Sequence, residues 1–459
     1  MQSYARIAPT LGHAMTETLD AAEVQRMLDD APMSRFQIRA LAILVMLSML
    51  DGYDVVSISL AGPVVAEALG IGKTALGAVF SSGLLGMALG SLVLAPLADA
   101  WGRRAAILGA LLLMMIGGIW CALVGSGWEL AAARAVIGLG IGTLIAVTTP
   151  LAGEFANARR RAFAIAVTTM AFPLGAMVGG LLAAVLIRNL GWQSVFALKS
   201  VIAAVLVPVV FIWLPESPSF LLSSKKGDAL EKLSGFLVRC GHKSVSILQD
   251  ESNTALKRGY ADLFAPGQIS ITLQLVAANA LFAMVGYFWG SWLPHMIVDA
   301  GYTVFTASIA SAINQLSGVI GGLLLGFATK WIKLRYLSAA ALVGTGVALV
   351  LFGIAPSYLP LLILSGAFCA FCLHGGIAGL YATIGTSFQE HVRASGTGLA
   401  IGVGRITSSV SPLFAGWMFA SGFERPSVSA AFAVVAVLSG LILLKPLRSA
   451  KRSELPGAQ

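Results

Sequence analysis

The chain has 459 residues, of which 57% are hydrophobic and only 11% are charged. Soluble globular domains carry charge on about a quarter of their residues, so this composition excludes a soluble globular protein. The net charge of +9 does not indicate nucleic-acid binding, because the lysines and arginines are concentrated in alternate short loops between long apolar segments.

Twelve apolar segments are long enough to cross a bilayer as helices. In chain order they cover approximately 38–62, 74–98, 105–125, 128–152, 162–187, 193–214, 269–293, 304–328, 336–355, 359–383, 395–420 and 427–446. We therefore predict an all-α polytopic membrane protein with twelve transmembrane helices in two pseudo-symmetric six-helix bundles.

The polar stretches between these segments predict how the chain is organised. A tail (1–37), an N-terminal bundle (38–214), a charged central loop (215–268), a C-terminal bundle (269–447) and a second tail (448–459) follow one another. With a cytoplasmic N-terminus, the inner loops and tails hold 24 of the 30 lysines and arginines. This bias predicts that both tails and the central loop are cytoplasmic. No cleavable signal peptide is recognisable, so we expect a multi-pass protein of the inner (plasma) membrane.

The first apolar segment contains two acidic residues, Asp51 and Asp54, near its centre. They lie about 18 Å beyond Arg39 along a helix, where each carboxylate costs about 2.5–3.5 kcal/mol on the insertion scale. The i, i+3 spacing places both on one helix face. Two carboxylates that face one cavity favour binding of a proton, so the pair is the predicted proton-coupling site. The alternative is that they only pair with buried arginines to stabilise the assembly.

Two arginines lie inside apolar segments of the two bundles. Arg134 is about two turns inside the outer end of the fourth segment, and it either faces a cavity between the bundles or extends to the outer interface. Arg405 lies near the middle of the eleventh segment, so it must pair with an acid or face a wet cavity. Its predicted partners are Asp51, Asp54 or a substrate carboxylate, which a planar guanidinium binds at two points.

Neutral polar and aromatic residues add candidates for substrate binding. Tyr287 in the seventh segment either stacks on a planar substrate or belongs to an interfacial aromatic belt. Asn314 and Gln315 in the eighth segment either hydrogen-bond a carboxylate or hydroxyl, or join neighbouring helices. His374 in the tenth segment is either a substrate contact or a packed, neutral histidine. Tyr53, between the two acids, is a further candidate.

The two bundles are related by an internal repeat. Residues 90–104 align with 321–335 at an offset of 231, and residues 154–160 align with 387–393 at an offset of 233. Internal repeats of this kind are typical of transporters. The aligned loop positions include two pairs of arginines: Arg104 with Arg335, and Arg160 with Arg393.

The loop after the second segment resembles the signature loop of the major facilitator superfamily, with Gly90 nine residues before Asp99-Ala-Trp-Gly102-Arg103-Arg104. In that family the aspartate and arginine form an inner gate network. The resemblance, extended by the internal repeat, assigns gating to the following residues: Asp99, Gly102, Arg103, Arg104, Arg160, Arg335 and Arg393. Arg134 resembles the family's helix-4 arginine, which faces the cavity and takes part in proton coupling.

The stretch Asp51-Gly-Tyr-Asp54, followed by Ser57, Ser59 and Ala61-Gly62-Pro63, is similar to the helix-1 signature of the aromatic acid:proton symporters. These are the benzoate and 4-hydroxybenzoate permeases. The resemblance implies proton-coupled import of an aromatic carboxylate by alternating access, with Asp51 and Asp54 as the coupling acids. The segment Pro215-Glu216-Ser217-Pro218 is similar to one found in many organic-solute members of the superfamily.

Three other functions remain open. They are symport of another organic acid such as sialate or shikimate, efflux by antiport, and membrane sensing without transport. An enzyme is not expected, because no nucleophile motif, phosphate loop or metal-ligand cluster is present. Cys369 and Cys372 have CxxC spacing but lie in an apolar helix without an acidic partner, so neither a metal nor a redox role is expected. We expect a monomer in the lipid bilayer that binds a small organic anion and protons, and that uses the proton motive force but no cofactor, metal or nucleic acid.

Overall fold

The computed structural model describes residues 17–19, 21–224, 228–242, 245–248, 260–265, 268–388 and 392–445. Eleven of its helices are long and apolar enough to cross a membrane. The twelfth predicted segment, 395–420, is also helical but is divided into two consecutive helices, each too short to span alone. The all-α membrane fold predicted from the sequence is confirmed.

The N-terminal half contains six membrane helices, which we label α1–α6. They are α1 (Arg35–Ala68), α2 (Lys73–Leu89, π-helical Gly90–Leu94 and Ala95–Trp101), α3 (Arg103–Leu123), α4 (Gly127–Phe155), α5 (Arg161–Leu190) and α6 (Gln193–Trp213). The π-helical piece of α2 precedes Pro96, which has no N–H to donate to the carbonyl of Leu92. The N–H of Ala95 donates to the carbonyl of Gly90 in the wider π pattern.

The C-terminal half repeats this arrangement. Its helices are α7 (Ile269–Asp299), α8 (Val304–Ala328), α9 (Leu334–Ile354), α10 (Leu359–Ser387), α11 (Arg393–Ser408 and Val410–Ala420) and α12 (Arg425–Leu444). The halves meet where α1 packs on α7, α2 on α11 and α5 on α8.

The break in α11 has a local cause at Pro412. Proline cannot donate a backbone hydrogen bond to the residue four positions earlier, here Ser408. The hydroxyl of Ser411 donates to the carbonyl of Ser408 instead, at 2.9 Å. The N–H of Leu413 donates to the Ser81 hydroxyl on α2, at 3.1 Å. Side chains therefore satisfy the backbone groups at a bend in the apolar region.

Close packing of α1 on α5 sets the position of the acidic stretch. A Cβ atom on Gly52 would lie 1.9 Å from the carbonyl oxygen of Phe172, and one on Gly175 would lie 2.1 Å from that of Met49. Only glycine permits this approach of the two backbones. The carboxyl groups of Asp51 and Asp54 are thereby held at a fixed depth inside the N-terminal half.

Short elements cover the end of the N-terminal half at which α1 begins. The tail contains strand β1 (Glu17–Leu19) and a helix at Ala21–Asp30, and the central loop contains helices at Pro218–Ser223 and Ala229–Arg239, strand β2 (Val245–Leu248) and a 3-10 turn at Tyr260–Phe264. β1 and β2 pair in parallel and are the only strands among the described residues. Asp29 forms an ion pair with Arg161 at the start of α5, so the acidic tail is attached to the N-terminal half.

Candidate functional site

A cavity of about 600 Å³ lies between the two halves, near the middle of the membrane helices. Its walls are mostly apolar, as in most small-molecule sites. Six of the residues predicted from the sequence line it: Asp51, Arg134, Tyr287, Asn314, Gln315 and His374. The structure thus brings together candidates from both halves that are far apart in the sequence.

Asp54 is the centre of a buried ion cluster. Its carboxylate accepts two parallel hydrogen bonds from Arg134, with Nη1–Oδ1 at 2.8 Å and Nη2–Oδ2 at 2.9 Å. The Nζ atom of Lys199 donates to the same Oδ1 at 2.5 Å. The side chains of Asp54 and Lys199 are both 0% exposed. One carboxylate therefore neutralises part of the charge of two buried cations, and such charge-assisted, two-point pairing is strong.

Lys199 is a site residue that sequence reasoning missed. It lies in the first two turns of α6, where a lysine can extend to the membrane interface, so it was not among the predicted site residues. The structure turns it inward instead, with its Nζ 5.7 Å from the centroid of the Phe196 ring. A Cβ atom at Gly118 on α3 would lie 3.2 Å from the Lys199 Cε, so the small residue leaves room for the lysine.

Asp51 differs from Asp54 because no described cation forms an ion pair with it. It lines the cavity and is 1% exposed, and its Oδ1 has no hydrogen-bond partner in the described part of the chain. Asp54 and Arg405 are near enough for their charges to act on it. A buried carboxyl without a partner is unusual and is expected where a proton or ligand binds.

Arg405 lies on α11, in the first of its two helices, and is partly buried. The predicted pairing of Arg405 with Asp54 is not observed, because Arg134 and Lys199 occupy that carboxylate. Arg405 makes no ion pair within the described residues and is not among those that line the cavity. Its charge acts on Asp51 and on Tyr381, a cavity residue of α10 that sequence reasoning also missed.

Two other predicted substrate contacts, Tyr53 and Asn314, form hydrogen bonds within the protein. The hydroxyl of Tyr53 donates to the carbonyl of Val195 at 2.7 Å, and Tyr53 does not line the cavity. Asn314 accepts a hydrogen bond from the Trp289 indole at 3.1 Å and donates one to the carbonyl of Ala310 at 3.0 Å. Asn314 therefore joins α8 to α7, which was the alternative to substrate binding.

His374, Gln315 and Tyr287 retain polar atoms for a ligand. The Nδ1 of His374 lies 3.0 Å from the carbonyl oxygen of Ala370, which can only accept, so Nδ1 carries a hydrogen and Nε2 of the neutral ring is an acceptor. Gln315 and Tyr287 line the same cavity. These three residues give the cavity polar groups from the C-terminal half, while Asp51 and Arg134 line it from the N-terminal half.

The predicted gating loop is held by an acidic residue from after α6. Gly102 has φ +108°, and a Cβ atom there would lie 2.4 Å from Oε2 of Glu216. The Oε1 atom of Glu216 accepts the backbone N–H of Arg103 at 2.7 Å and that of Arg104 at 3.2 Å. Arg103 also pairs with Glu154 at 3.3 Å. The side chains of two other predicted gate residues, Asp99 and Arg393, lie outside the described residues.

Two aligned arginines of the repeat make equivalent contacts. The guanidinium of Arg104 donates to the carbonyl of Phe211 near the end of α6. That of Arg335 donates to carbonyls at the end of α12, including Leu443 at 2.8 Å. Each half thus uses the same loop position to cap its own last helix. Arg160, by contrast, is exposed, and its backbone N–H donates to Asn157.

Among the described residues, the hydrogen bonds and ion pairs that the structure shows between the halves lie toward one end of the molecule. We call the end with loops 102–104 and 156–160 the basic face, and the end with loops 69–72 and 300–303 the opposite face. Three contacts across the halves lie toward the opposite face: Lys73 with Asp299 at 2.6 Å, Ser59 with the Gly290 carbonyl at 2.7 Å and Ser308 with the Gly180 carbonyl at 3.0 Å.

The hydrogen bond between Leu413 and Ser81 crosses the halves on the same side. In the described part of the chain, no hydrogen bond or ion pair joins the halves near the basic face. The described structure is therefore closed toward the opposite face.

Comparison with known proteins agrees with this architecture. The family model described as Major Facilitator Superfamily matches residues 42–342, more than half of the chain. The structure of a D-xylose-proton symporter superposes with a TM-score of 0.70 at 17% identity, covering 89% of this chain and 97% of that one. The inward-open xylose transporter XylE from E. coli superposes with a TM-score of 0.69 at 18% identity, covering 91% and 98%. At these identities the likeness shows the fold alone.

Curated relatives match nearly the whole chain. A gallate transporter of Pseudomonas putida is 27% identical over 92% of this chain and 94% of its own length. The 4-hydroxybenzoate transporter PcaK of the same species is 27% identical, over 94% and 99%. A 3-(3-hydroxy-phenyl)propionate transporter of Escherichia coli is 29% identical, over 86% and 90%. These relatives are transporters of aromatic acids rather than enzymes, and the chain belongs to the Major Facilitator Superfamily.

Proposed function

We propose that this protein is a proton-coupled symporter that imports an aromatic carboxylate across the bacterial plasma membrane by alternating access. The observation that carries the proposal is Asp51, a buried carboxyl whose Oδ1 has no hydrogen-bond partner among the described residues, at the wall of a cavity between two transporter halves. The relatives that cover nearly the whole chain support the substrate class, since they are named for gallate, 4-hydroxybenzoate and related acids.

The cavity suits an aromatic acid in both size and chemistry. Its volume of about 600 Å³ falls in the usual range for small-molecule sites. Phe282, Tyr287 and Trp289 supply aromatic surface on the C-terminal half, on which a ring can stack. Gln315 and His374 supply hydrogen-bonding groups for ring hydroxyls. The carboxylate end belongs near Arg134, the cation that lines the cavity.

Coupling follows from the charge of Asp51. An ionised Asp51 repels a substrate carboxylate, and the repulsion is strong because the site is buried. A proton on Asp51 removes that repulsion and leaves Arg134 and Arg405 to attract the anion. The proton motive force therefore favours binding of proton and anion together, and loss of the proton on the other side favours release.

The positive-inside bias supports a cytoplasmic basic face, with both tails and the central loop inside. Closure toward the opposite face then corresponds to a cavity shut from the outside. Reorientation requires the contacts at the opposite face, including Lys73–Asp299, to break while the halves approach at the basic face. This is the rocking motion expected of two repeats around a fixed central site.

Uptake into proteoliposomes tests the proposal. Vesicles with an imposed inward proton gradient are given labelled benzoate, 4-hydroxybenzoate, protocatechuate or a sialic acid, with and without protonophore. We expect protonophore-sensitive accumulation of at least one aromatic acid, no accumulation with Asp51→Asn, and normal uptake with Asp30→Asn, an exposed residue of the tail helix. Protonophore-insensitive uptake, or extrusion alone from loaded vesicles, contradicts proton symport and favours facilitated entry or efflux.

A further inference from the structure

We propose that Lys199 holds Asp54 permanently ionised and so leaves Asp51 as the single proton-binding carboxyl, which makes import of a carboxylate monoanion electroneutral. The inference rests on the proposed function and adds its stoichiometry, one proton for each anion. Asp51 and Asp54 are the only buried carboxyl groups among the residues whose side chains are described.

The two acids have opposite surroundings. Asp54 accepts charged hydrogen bonds from Arg134 and Lys199, and none of these three side chains is more than 6% exposed. A proton on Asp54 would leave two buried cations without a counter-charge, which is strongly unfavourable. Asp51 lines the cavity, and no donor among the described residues reaches its Oδ1, so a proton on that oxygen disrupts no hydrogen bond there. The geometry therefore assigns the proton to Asp51.

Lys199 supplies the second cation needed to balance the charges of the two carboxylates. With Arg134 alone, the pair formed with Asp54 would be neutral, and Asp51 would add one uncompensated negative charge. With Lys199 present, the two carboxylates and two cations cancel when both acids are ionised. A proton on Asp51 leaves a surplus of one positive charge, which a bound carboxylate then neutralises. The fully empty and fully loaded states of this cluster therefore carry the same charge, and Arg405, outside the cavity lining, adds the same charge to both.

The other ionisable groups around Asp51 do not change the assignment of the proton to Asp51 rather than Asp54. Arg405 on α11 acts on Asp51 from outside the cavity lining and keeps the same charge throughout the cycle. Cys121 on α3 lies near the cation cluster, and Tyr53 beside Asp54 donates its hydroxyl hydrogen to Val195. His374 on α10, across the cavity, holds a hydrogen on Nδ1. Asp51 is the member of this group that changes charge in the proposed cycle.

The first test separates proton gradient from membrane potential. Proteoliposomes containing the full chain receive either an inward proton gradient clamped at zero potential, or an inside-negative potassium/valinomycin potential without a pH gradient. We expect accumulation of the transported acid with the first and less than a twofold change with the second. Several-fold stimulation by potential alone would show that more than one proton accompanies each anion and would overturn the proposal. Absence of accumulation with the proton gradient would instead refute the proposed function itself.

The second test examines Lys199 directly. Lys199→Met removes the cation and keeps the length of the side chain, whereas Lys199→Arg keeps the charge. We expect Lys199→Met to move the pH midpoint of uptake upward by about one unit, because one fewer cation opposes protonation at the site, while Lys199→Arg retains the wild-type midpoint. A folded Lys199→Met protein with the wild-type pH profile would overturn the assigned role. If Lys199→Met does not fold, the midpoint of Lys199→Arg decides, since a displaced midpoint contradicts a role that depends on charge alone.

Discussion

Replacing each buried aspartate by asparagine should affect stability very differently. Asp54→Asn removes the counter-charge of Arg134 and Lys199, and breaking a buried ion pair in this way costs about 3–5 kcal/mol. Asp51→Asn removes a carboxyl whose Oδ1 has no hydrogen-bond partner within the described ranges, so its cost should stay below about 1 kcal/mol. We therefore expect a folded, inactive Asp51→Asn protein and a markedly destabilised Asp54→Asn protein.

Thermal unfolding in detergent, followed by intrinsic fluorescence, measures the difference. The midpoint of Asp54→Asn should fall well below that of Asp51→Asn. Adding Lys199→Met to Asp54→Asn should recover part of the loss, because one of the two uncompensated cations is removed. Equal midpoints for the two single variants would refute the reasoning that Asp54 is a fixed charge and Asp51 a free one.

Three further outcomes can be measured. Lys73→Gln removes a partly exposed ion pair with Asp299 that is worth up to about 1 kcal/mol. The population of molecules that are open at the opposite face should therefore rise by up to about fivefold. Spin-label distances across that face measure this population, and an unchanged distance distribution would contradict a role of Lys73–Asp299 in closing the face. Pro412→Ala restores the missing donor to Ser408, so hydrogen exchange across the break in α11 should slow; unchanged exchange would mean that another residue causes the break. Burial raises the pKa of the Cys240 thiol, so maleimide labelling should require more alkaline pH than a free cysteine does; rapid labelling at neutral pH contradicts this.

Much of the fold was predictable because the bilayer imposes a simple rule. Each backbone group must be paired inside the membrane, so long apolar segments must be helices, and their number and loop charges can be counted. The break in α11 was not predicted. It depends on Pro412 together with hydroxyl donors from Ser411 and, across the interface, Ser81. Of these three residues, only Ser81 could not be identified without the tertiary structure.

The site was predicted in part, and the limits follow from helix rotation and side-chain direction. Asp51 was found because a charge in the middle of an apolar segment is conspicuous, and Arg134 because it resembles the family's helix-4 arginine. Lys199 was missed because its place near a helix end allows two directions, toward the interface or toward a buried acid. Tyr53 was wrongly predicted to contact substrate. It follows Asp51 by two residues, which turn a helix by about 200°, so its side chain points away from the cavity and bonds to Val195.

The arginine contacts of the repeat make each half a self-contained unit. Arg104 attaches the loop after α2 to the end of α6, and Arg335 attaches the corresponding loop to the end of α12. In each half, the loop between the second and third helices is thereby joined to the last helix. Each half can therefore fold without the covalent connection through the central loop. Two polypeptides, produced separately by dividing the chain within that loop, should assemble in the membrane into a functional protein.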